Sequence, residues 1–261
     1  MPDPRAAAFD GPLLLLSPHL DDAALSCGAL FERVEPFTVF DVFTQRPEPE
    51  QITEWDTRCG FAGSNQAMTA RWAEEHRAFA GSVHAFAAID LLDGQYRVDP
   101  PDERDAARLE RALGAWLTTM GGRAIVAMPV GAGTPRGLST SFATRWKARR
   151  RGTFAFDNSP DHLFVRDTAI AYLRDKPDVT IVLYEEYPYL FAMSGSRVVP
   201  AIESWVGRTA VEHVLRVDRI AKAERIAAYT SQLGLLFRSS AAESLVRALP
   251  TTERYWELSA P

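Results

Sequence analysis

Strand-like apolar runs alternate with helical patterns along this chain of 261 residues, and the alternation restricts the fold more than any other feature of the sequence. The first run, Leu13-Leu14-Leu15-Leu16-Ser17, has the length and the flanks of a buried strand. Strands that alternate with helices favour a doubly wound, mostly parallel sheet with helices on both faces, which is a Rossmann-like α/β architecture. We predict strands at residues 13–17, 37–44, 83–86, 123–128, 179–184 and 214–217, and helices at about 22–34, 64–80, 101–120, 160–174 and 218–232.

Length and composition predict one α/β domain over residues 1–261. Hydrophobic residues make up 46% of the chain, which is enough for a proper core. No linker rich in proline, glycine or serine divides the chain. We therefore expect all of its motifs to meet in a single fold.

Charge, cysteine content and hydropathy exclude several classes of function. The formal net charge of −5 argues against general nucleic-acid binding. No apolar run approaches the length of a transmembrane helix, and the first residues lack the pattern of a signal peptide. Cys27 and Cys59 are too few for a disulfide scaffold, so we expect a reduced, cytoplasmic protein without membrane or nucleic-acid partners. Whether the chain forms a homo-oligomer is left open by the sequence.

The segment Pro18-His19-Leu20-Asp21-Asp22-Ala23 gives the first indication of chemistry. It lies between a predicted strand and a predicted helix, which is where ligands bind in α/β folds. Two adjacent carboxylates repel each other unless a cation, a shared proton or solvent relieves the repulsion. His19 and Asp22 are three positions apart, so both can face one metal ion while Asp21 takes a proton from water. The alternative is that Asp21 and Asp22 only cap the next helix.

A third metal ligand is expected at His162, because the turn-like sequence Asn158-Ser159-Pro160-Asp161 places it at the start of a helical pattern. The remaining histidines are better explained as surface or hydrogen-bonded structural residues; they are His76, His84 and His213. Two histidines and one carboxylate leave a coordination position open for water, as in catalytic zinc sites. Zinc bound in this way lowers the pKa of water to about 7 and polarises a carbonyl group. The same set also accepts iron, cobalt or manganese.

Two segments resemble the signatures of the PIG-L/LmbE-like zinc-dependent N-deacetylases; they are Pro18-His19-Leu20-Asp21-Asp22-Ala23-Ala24-Leu25-Ser26-Cys27-Gly28 and Ser159-Pro160-Asp161-His162. Weaker similarities at 55–61, 71–75, 90–97, 184–189 and 222–232 extend the resemblance over roughly residues 11–235. The resemblance implies a hydrolase that removes the acetyl group from an N-acetylglucosamine-containing conjugate. It also implies a Zn2+ cofactor and a small-molecule amino-sugar conjugate as the partner.

Carried over by position, the resemblance implies a role for each of six residues. His19, Asp22 and His162 would hold the zinc, and Asp21 would be the general base. Arg71 and Asp93 fall where members of the family contact the sugar or its aglycone. For these two residues a second interpretation stays open, because Arg71 fits a salt-bridged helix face and Asp93 fits a turn before Gly94.

The chain departs from the family pattern at Ser159. The second signature usually begins with histidine, which in the family is thought to donate a proton to the oxyanion and the leaving amine. A neutral hydroxyl donates a weaker hydrogen bond than an imidazolium does. Losing one oxyanion donor typically costs about a hundredfold or more in rate. Another residue must supply the donor, or the enzyme is slow, or the protein does not catalyse the reaction.

A second departure is a long insertion at residues 134–157, between a Pro129-Val130-Gly131-Ala132-Gly133 turn and the second signature. Loops of this length are usually functional lids or disordered. The insertion carries a basic cluster on an acidic chain; its members are Arg136, Arg145, Lys147, Arg149, Arg150 and Arg151. It is either a solvated loop or a lid beside the metal, in which an arginine or lysine replaces the missing donor or binds an anionic group of the substrate. The glycines also mimic a dinucleotide motif, but their spacing is too long and Pro135 breaks the turn, so no nucleotide cofactor is expected.

Aromatic residues offer candidates for stacking on a sugar ring. Most of them are better explained by packing, and the full set is Trp55, Trp72, Trp146, Tyr184, Tyr187 and Tyr189. Tyr184-Glu185-Glu186-Tyr187 lies at the end of a predicted strand and is the best candidate for the site.

Two hypotheses for function follow. The first is a zinc-dependent N-deacetylase, and the second, motivated by Ser159, is a catalytically weakened or non-catalytic metal-containing protein that binds a sugar conjugate.

Overall fold

A seven-stranded sheet organises the computed structural model, which describes residues 9–32, 35–135, 146, 149–150, 152 and 157–259. Its strands are β1 (Leu13–Ser17), β2 (Thr38–Asp41), β3 (Ala85–Ala88), β4 (Ala124–Pro129), β5 (Val179–Tyr184), β6 (Ala210–Arg216) and β7 (Thr252–Leu258). They lie in the order β3-β2-β1-β4-β5-β7-β6. Strands β1 to β5 pair in parallel, and β7 is antiparallel to both of its neighbours. The predicted α/β class and mostly parallel sheet are confirmed.

The strand order reverses at β1, and this reversal positions the site. From β1 the chain builds β2 and β3 on one side and later adds β4 and β5 on the other. Leu14 pairs with Val126 and Leu15 with Ala127, so the carboxyl ends of β1 and β4 lie side by side. In open parallel sheets ligands bind in the crevice at such a point of reversal.

The helices at 54–58, 199–206 and 242–248 were not predicted, and the predicted helices differ from the prediction mainly in length. They are α1 (Asp22–Ser26), α2 (Glu54–Arg58), α3 (Ser64–Ala78), α4 (Glu103–Met120), α5 (Pro160–Leu173), α6 (Val199–Val206), α7 (Arg219–Ile226), α8 (Thr230–Leu236) and α9 (Ala242–Ala248). The predicted helix at 22–34 ends at Ser26 and is followed by a short 3-10 turn at Leu30–Glu32. The helix predicted at 218–232 is two helices, α7 and α8, with a break between them.

The alternating side chains of β1 pack into two separate cores. Leu14 and Leu16 face one side of the sheet, with apolar residues of α4 and α5. Leu13 and Leu15 face the other side, with Ala23 and Ala24 of α1. Fully burying one such leucine contributes about 1.5–3 kcal/mol, so β1 is anchored firmly beneath the loop that follows it.

Strand β7 was not predicted, and the strand expected at 214–217 is instead the longer β6. The buried Glu253 obscures the apolar pattern of β7. Its carboxylate lies 2.5 Å from Nζ of the buried Lys222 and accepts backbone N–H groups of Gly28 and Ala29 at 2.8 and 2.9 Å. The same contacts tie β7 to the residues just after α1.

The insertion at 134–157 closes at its base. Thr134 and Asp157 form an isolated parallel bridge, and the N–H of Asn158 donates to the carbonyl oxygen of Thr134 at 2.9 Å. Arg136, Arg145, Lys147 and Arg151 lie outside the described residues, so the predicted lid stays a prediction. Among the residues that the structure describes, no helix combines the length and the apolar character needed to cross a membrane.

Candidate metal centre

The first signature forms a tight turn between β1 and α1. Ser17 Oγ donates to the carbonyl oxygen of His19 at 2.6 Å and accepts the N–H of Ala23 at 3.2 Å. Asp22 Oδ2 accepts the N–H of His19 at 2.9 Å. Asp21 occupies the N-cap position of α1, yet its side chain makes no capping hydrogen bond. The helix-cap interpretation of Asp21 therefore has no contact to support it.

Three side chains converge above this turn. Asp22 Oδ2 lies 3.1 Å from His19 Nδ1 and 3.1 Å from His162 Nε2, and the two imidazole rings are 5.4 Å apart. His162 comes from the first turn of α5 and is buried. Its Nε2 has no hydrogen bond of acceptable geometry among the described residues, despite the closeness of Asp22. A buried nitrogen aimed at a point shared with a carboxylate and a second imidazole is the arrangement that a metal ion requires.

A second group of possible metal ligands also includes His19, but the charges of its carboxylates are already neutralised. His19 Nε2 lies 3.2 Å from Asp161 Oδ2 and 3.9 Å from Asp93 Oδ2. Asp161 also pairs with Arg97, and Asp93 lies 3.2 Å from Arg71. Because each carboxylate has a guanidinium partner, a dication there would replace existing ion pairs. The set of His19, Asp22 and His162 is the better candidate metal site, with Asp161 orienting the ring of His19 from behind.

The second imidazole also has a carboxylate behind it. His162 Nδ1 lies 3.4 Å from Oε1 of the buried Glu186. Glu186 accepts three consecutive backbone N–H groups, those of Val130, Gly131 and Ala132, at 3.2, 2.8 and 3.1 Å. The turn requires a φ of 80° at Gly131, which disfavours residues with a side chain. The glycine turn therefore cradles an internal carboxylate, consistent with the expectation that it does not bind a nucleotide.

The charges of the cluster favour a cation at its centre. Burial would raise the pKa of Asp22, but the charges of His162 and His19 outweigh it and hold the pKa well below its ordinary value. Burial would lower the pKa of His162, but Asp22 and Glu186 raise it to about 9. Likewise, the charge of Asp93 and hydrogen bonds to Asp161 and Asp22 raise the pKa of His19 against the effect of its burial. Positive charge stabilises this group, and a divalent cation supplies it.

Asp21 lies next to the candidate ligands and is held by Arg71. Arg71 Nη2 lies 3.7 Å from Asp21 Oδ1, while Nη1 donates to Asp93 Oδ2 at 3.2 Å. Burial and the neighbouring charge of Asp22 raise the pKa of Asp21, against the opposing charge of Arg71. A carboxylate whose pKa is raised toward neutrality is suited to exchange a proton with a reacting group.

A cavity of about 250 Å3 opens onto this group. His19, Asp21, Asp22, Arg71 and Asp93 all line it. Further side chains belong to its wall: Leu25, Trp55, Gln95, Pro188, Tyr189, Gln232 and Leu236. The sequence had indicated Trp55 and Tyr189 as aromatic candidates, and it placed all of the others except Leu236 in the first signature or in the weaker similarities to the family. Leu236 carries no local signal, because α8 reaches the cavity only through the tertiary fold.

Ser159 does not take the place of the expected histidine in this cavity. It is half-buried at the N-cap of α5, its side chain makes no capping hydrogen bond, and among the described residues it is not part of the cavity wall. Arg71 and Asp93, which the sequence offered as substrate contacts, do line the cavity, and they also pair with each other.

Solved structures with this fold include several deacetylases. The zinc-inhibited form of teicoplanin deacetylase has 20% identity and a TM-score of 0.67 over 96% of this chain and 98% of that chain. The A40926 pseudoaglycone deacetylase has 20% identity and a TM-score of 0.65 over 97% of this chain and 98% of that chain. At these identities the likeness shows the fold alone, and it confirms the fold implied by the sequence resemblance.

The same fold also occurs in a protein with a different reaction. The 4-carboxy-2-hydroxymuconate hydratase of Pseudomonas putida KT2440 has 14% identity and a TM-score of 0.51 over 96% of this chain and 97% of that chain. No family model matches the chain, and no curated protein matches it. The choice of reaction therefore has to come from the side chains of the site.

Proposed function

We propose that this protein is a member of the PIG-L/LmbE-like family and a metal-dependent hydrolase that removes an N-acetyl group from an N-acetylglucosamine-containing conjugate. The observation that carries the proposal is the position of Asp21. Its carboxylate lines the cavity directly beside His19 and Asp22, is held by Arg71, and has no capping role in α1. A base next to a set of three metal donors at the wall of a cavity is the arrangement that amide hydrolysis needs.

His19, Asp22 and His162 would hold the metal, which we propose to be zinc. Bound there, zinc supplies a Lewis acid for the amide carbonyl and lowers the pKa of water. Asp21 accepts a proton from the attacking water and returns it to the amide nitrogen as the carbon–nitrogen bond breaks. Arg71 keeps the Asp21 carboxylate in place, and its pairing with Asp93 keeps the guanidinium from turning away.

The size of the cavity supports a substrate whose reacting part is small. About 250 Å3 is less than the roughly 300–1,000 Å3 of pockets that enclose drug-sized ligands. One sugar ring with its acyl group fits such a space, and the remainder of a larger conjugate would extend outside. Trp55 in the wall offers an aromatic face, and Gln95 offers an amide for a sugar hydroxyl group.

The solved structures support the same substrate class. One is described as a deacetylase–teicoplanin complex and another as an A40926 pseudoaglycone deacetylase. We infer that the present protein also acts on an amino-sugar conjugate whose aglycone lies outside the cavity. The identity of the aglycone is not part of the proposal.

A second candidate function is favoured by one observation, the serine at position 159. A protein that kept the metal and the cavity but lost an essential donor would bind a sugar conjugate without cleaving it. This alternative predicts metal and ligand binding with no release of acetate from any N-acetylglucosamine derivative.

Acetate release from a panel of N-acetylglucosaminides by the zinc-loaded protein separates the two candidates. We expect release by the unaltered protein and a loss of about a thousandfold or more in Asp21→Asn, since general acid–base catalysis contributes roughly 10²–10⁴-fold. Zinc content should not change in that variant. Asp90→Asn is the matched control, because Asp90 is exposed and pairs with Arg108 on the surface. Binding of the panel without release of acetate would replace the proposal by the binding-protein alternative.

A further inference from the structure

Strand β6 forms one edge of the sheet and lacks most of the features that prevent an edge from pairing with another chain. In the order β3-β2-β1-β4-β5-β7-β6, the outer strands of the described sheet are β3 and β6. Proteins usually protect an edge by keeping the strand short or by placing a bulge, a proline or a charge in it, above all lysine. β6 has seven residues against four in β3, pairs with β7 without a bulge, and contains neither proline nor lysine. Only its charged residues remain as protection.

The hydrogen bonds next to the ends of β6 show which of its backbone groups point away from the sheet. The N–H of Val217 donates to the carbonyl oxygen of Thr251 at 3.1 Å, and the N–H of Ser259 donates to that of Thr209 at 2.8 Å. Both pairs continue the register of β6 with β7. Since hydrogen-bonded pairs alternate along an antiparallel ladder, the odd-numbered residues of β6 bond to β7 and the even-numbered residues point outward. These outward residues are Ala210, Glu212, Val214 and Arg216.

The first of the outward groups is engaged, and the other three are available. The N–H of Ala210 donates to Oε1 of Glu203 in α6 at 2.7 Å, which agrees with the outward direction of the even-numbered residues. Within the part of the chain that the structure describes, the outward N–H groups of Glu212, Val214 and Arg216 have no such acceptor. Three consecutive sites along the edge can therefore each bond to another strand.

Exposed apolar side chains are concentrated along the same edge. Val211 is 54% exposed and Val214 is 52% exposed. Trp205, shortly before β6, and Ile220, shortly after it, are exposed as well. Single exposed apolar residues are ordinary on a protein surface, but several of them around one strand edge are typical of a surface that binds another protein.

The charges of β6 identify the partner as a second copy of the same strand. Two copies that pair antiparallel about a two-fold axis at Val214 bring each Glu212 directly opposite Arg216 of the other copy. Opposite charges in directly opposed positions stabilise an antiparallel pair. Because all of these residues point outward, three pairs with two backbone hydrogen bonds each would form. The valines meet at the centre, between the two ion pairs.

Other registers of the same two strands are less favourable. An axis at Glu212 or at Arg216 places two like charges directly opposite each other, which destabilises the pair. An axis at Leu215 places Glu212 opposite Asp218. An axis at His213 leaves both charged residues of the edge opposite uncharged ones. The charges therefore do not protect β6 against every strand, because they match one register of the strand with itself.

The existing contacts leave these charges free to take part. Glu212 Oε1 lies 4.0 Å from Arg254 Nε, at the limit of an ion pair, and both side chains are largely exposed. For Arg216, which is exposed, no ion pair is formed with any residue that the structure describes. A carboxylate from a second copy would therefore meet a guanidinium that has no competing partner of its own.

We propose that the protein forms a symmetric homodimer through β6, in which the sheets of two copies join into one across a two-fold axis at Val214. Each copy contributes the same surface, so the contact closes on itself and does not lead to filaments. Strands β4, β5 and β7 lie between β6 and the strand β1 that carries the candidate metal centre. The dimer is therefore independent of the proposed reaction and leaves both cavities open.

Reversal of charge tests the register, and sedimentation equilibrium of the full chain measures the dissociation constant of the dimer. Glu212→Arg and Arg216→Glu each create two pairs of like charges, so we expect each change to weaken the dimer by about tenfold or more. The double variant exchanges the charges and restores both pairs, so its dissociation constant should lie within about threefold of the unaltered one. Asp99→Arg makes an equal change of charge at an exposed position in the loop after β3, at the opposite edge, and is the control.

A second variant tests the pairing of the backbone. Val214→Lys places two lysines opposite each other at the axis, as natural edge strands do to prevent pairing, and should also weaken the dimer by about tenfold or more. Val98→Lys, at an exposed valine far from β6, should not. Circular dichroism checks that each variant keeps its fold. Amide hydrogen exchange gives a direct readout, because the outward amides should be protected in the dimer and exchange freely in Val214→Lys.

Three results would overturn the proposal. A protein that stays monomeric over the whole concentration range in which it is soluble does not use this edge for a second copy. A dimer that none of the three single variants in β6 weakens is held together by another surface. A dimer that both single reversals weaken, and that the double variant does not restore, is not built on the pairing of Glu212 with Arg216.

Discussion

Nδ1 of His162 lies 3.4 Å from Oε1 of the buried Glu186, so a carboxylate stands behind one candidate metal ligand. The same carboxylate is held by three backbone N–H groups of the turn after β4. Asp161 likewise stands behind His19, with its Oδ2 3.2 Å from His19 Nε2. Both imidazole rings are thereby oriented before a metal binds, and the carboxylates would fix their tautomers once the other nitrogen of each ring coordinates the metal.

Glu186→Gln should lower zinc affinity by about ten- to a hundredfold, the usual cost of removing such a partner. The amide has only one acceptor oxygen, and it cannot serve both His162 and the three backbone donors. Competition with a chromophoric chelator measures the affinity. Glu185→Gln is the control, because Glu185 binds Ser194 and the N–H of Gly195 and does not touch the histidine. Equal zinc affinities in the two variants would remove Glu186 from the metal site.

Arg71→Gln distinguishes a positioning role from direct contact with substrate. The change leaves the buried carboxylates of Asp93 and Asp21 without their guanidinium partner. Breaking a buried ion pair from one side costs about 3–5 kcal/mol, so we expect the free energy of unfolding in urea to fall by about that amount, together with kcat. Arg77→Gln, exposed on the same helix, should change neither. Unaltered stability with a raised KM alone would mean that Arg71 contacts the substrate directly.

The strand-to-helix turn and the convergence of His19, Asp22 and His162 could be predicted because the signals are local. A buried strand followed by His19 and Asp22 fixes the position of two side chains within one turn. The parallel order of β1 and β4 then brings the turn near α5 and His162. Only two kinds of information were needed, the periodicity of the apolar residues and the resemblance of two short segments.

The parts that could not be predicted depend on partners far away in sequence. Glu253 in β7 is buried because Lys222 and two N–H groups near α1 neutralise it, and a glutamate gives no sign of that in the local pattern. Glu186 is buried for a similar reason, 54 to 56 positions from its donors. From the sequence alone, a charged residue such as Glu253 or Glu186 is expected to be exposed. Strand β7 and the carboxylate behind His162 were therefore not predicted.

Asp41→Asn should flatten the pH dependence of stability. Asp41 is fully buried at the end of β2. Burial raises its pKa from 3.8 to about 8, with the charges of Asp22 and Asp21 and against the opposing effect of the Ser17 hydroxyl. The folded state therefore keeps a proton that the unfolded chain releases above about pH 4. The contribution of the protonated Asp41 to the free energy of unfolding is fully present below that pH and is lost as the pH rises through about 8.

Thermal and urea unfolding between pH 4 and pH 9 measure this effect. The unaltered protein should lose more stability across the range than Asp41→Asn, with about 1.4 kcal/mol for each unit of pKa difference. Asp90→Asn, at an exposed carboxylate, should follow the unaltered protein. Parallel curves for all three proteins would show that Asp41 ionises normally in the fold.

Ser159→His tests whether position 159 can still hold the donor that the sequence resemblance places there. The serine side chain makes no capping bond to α5, so its loss should cost little stability. Because Ser159 lies outside the described cavity wall, an imidazole at this position should add little, and we expect kcat to change by less than about threefold, which is below 1 kcal/mol. Asn158→His places the same ring one position earlier and is the control. A gain of about tenfold or more would mean that the unaltered site lacks an adequate donor.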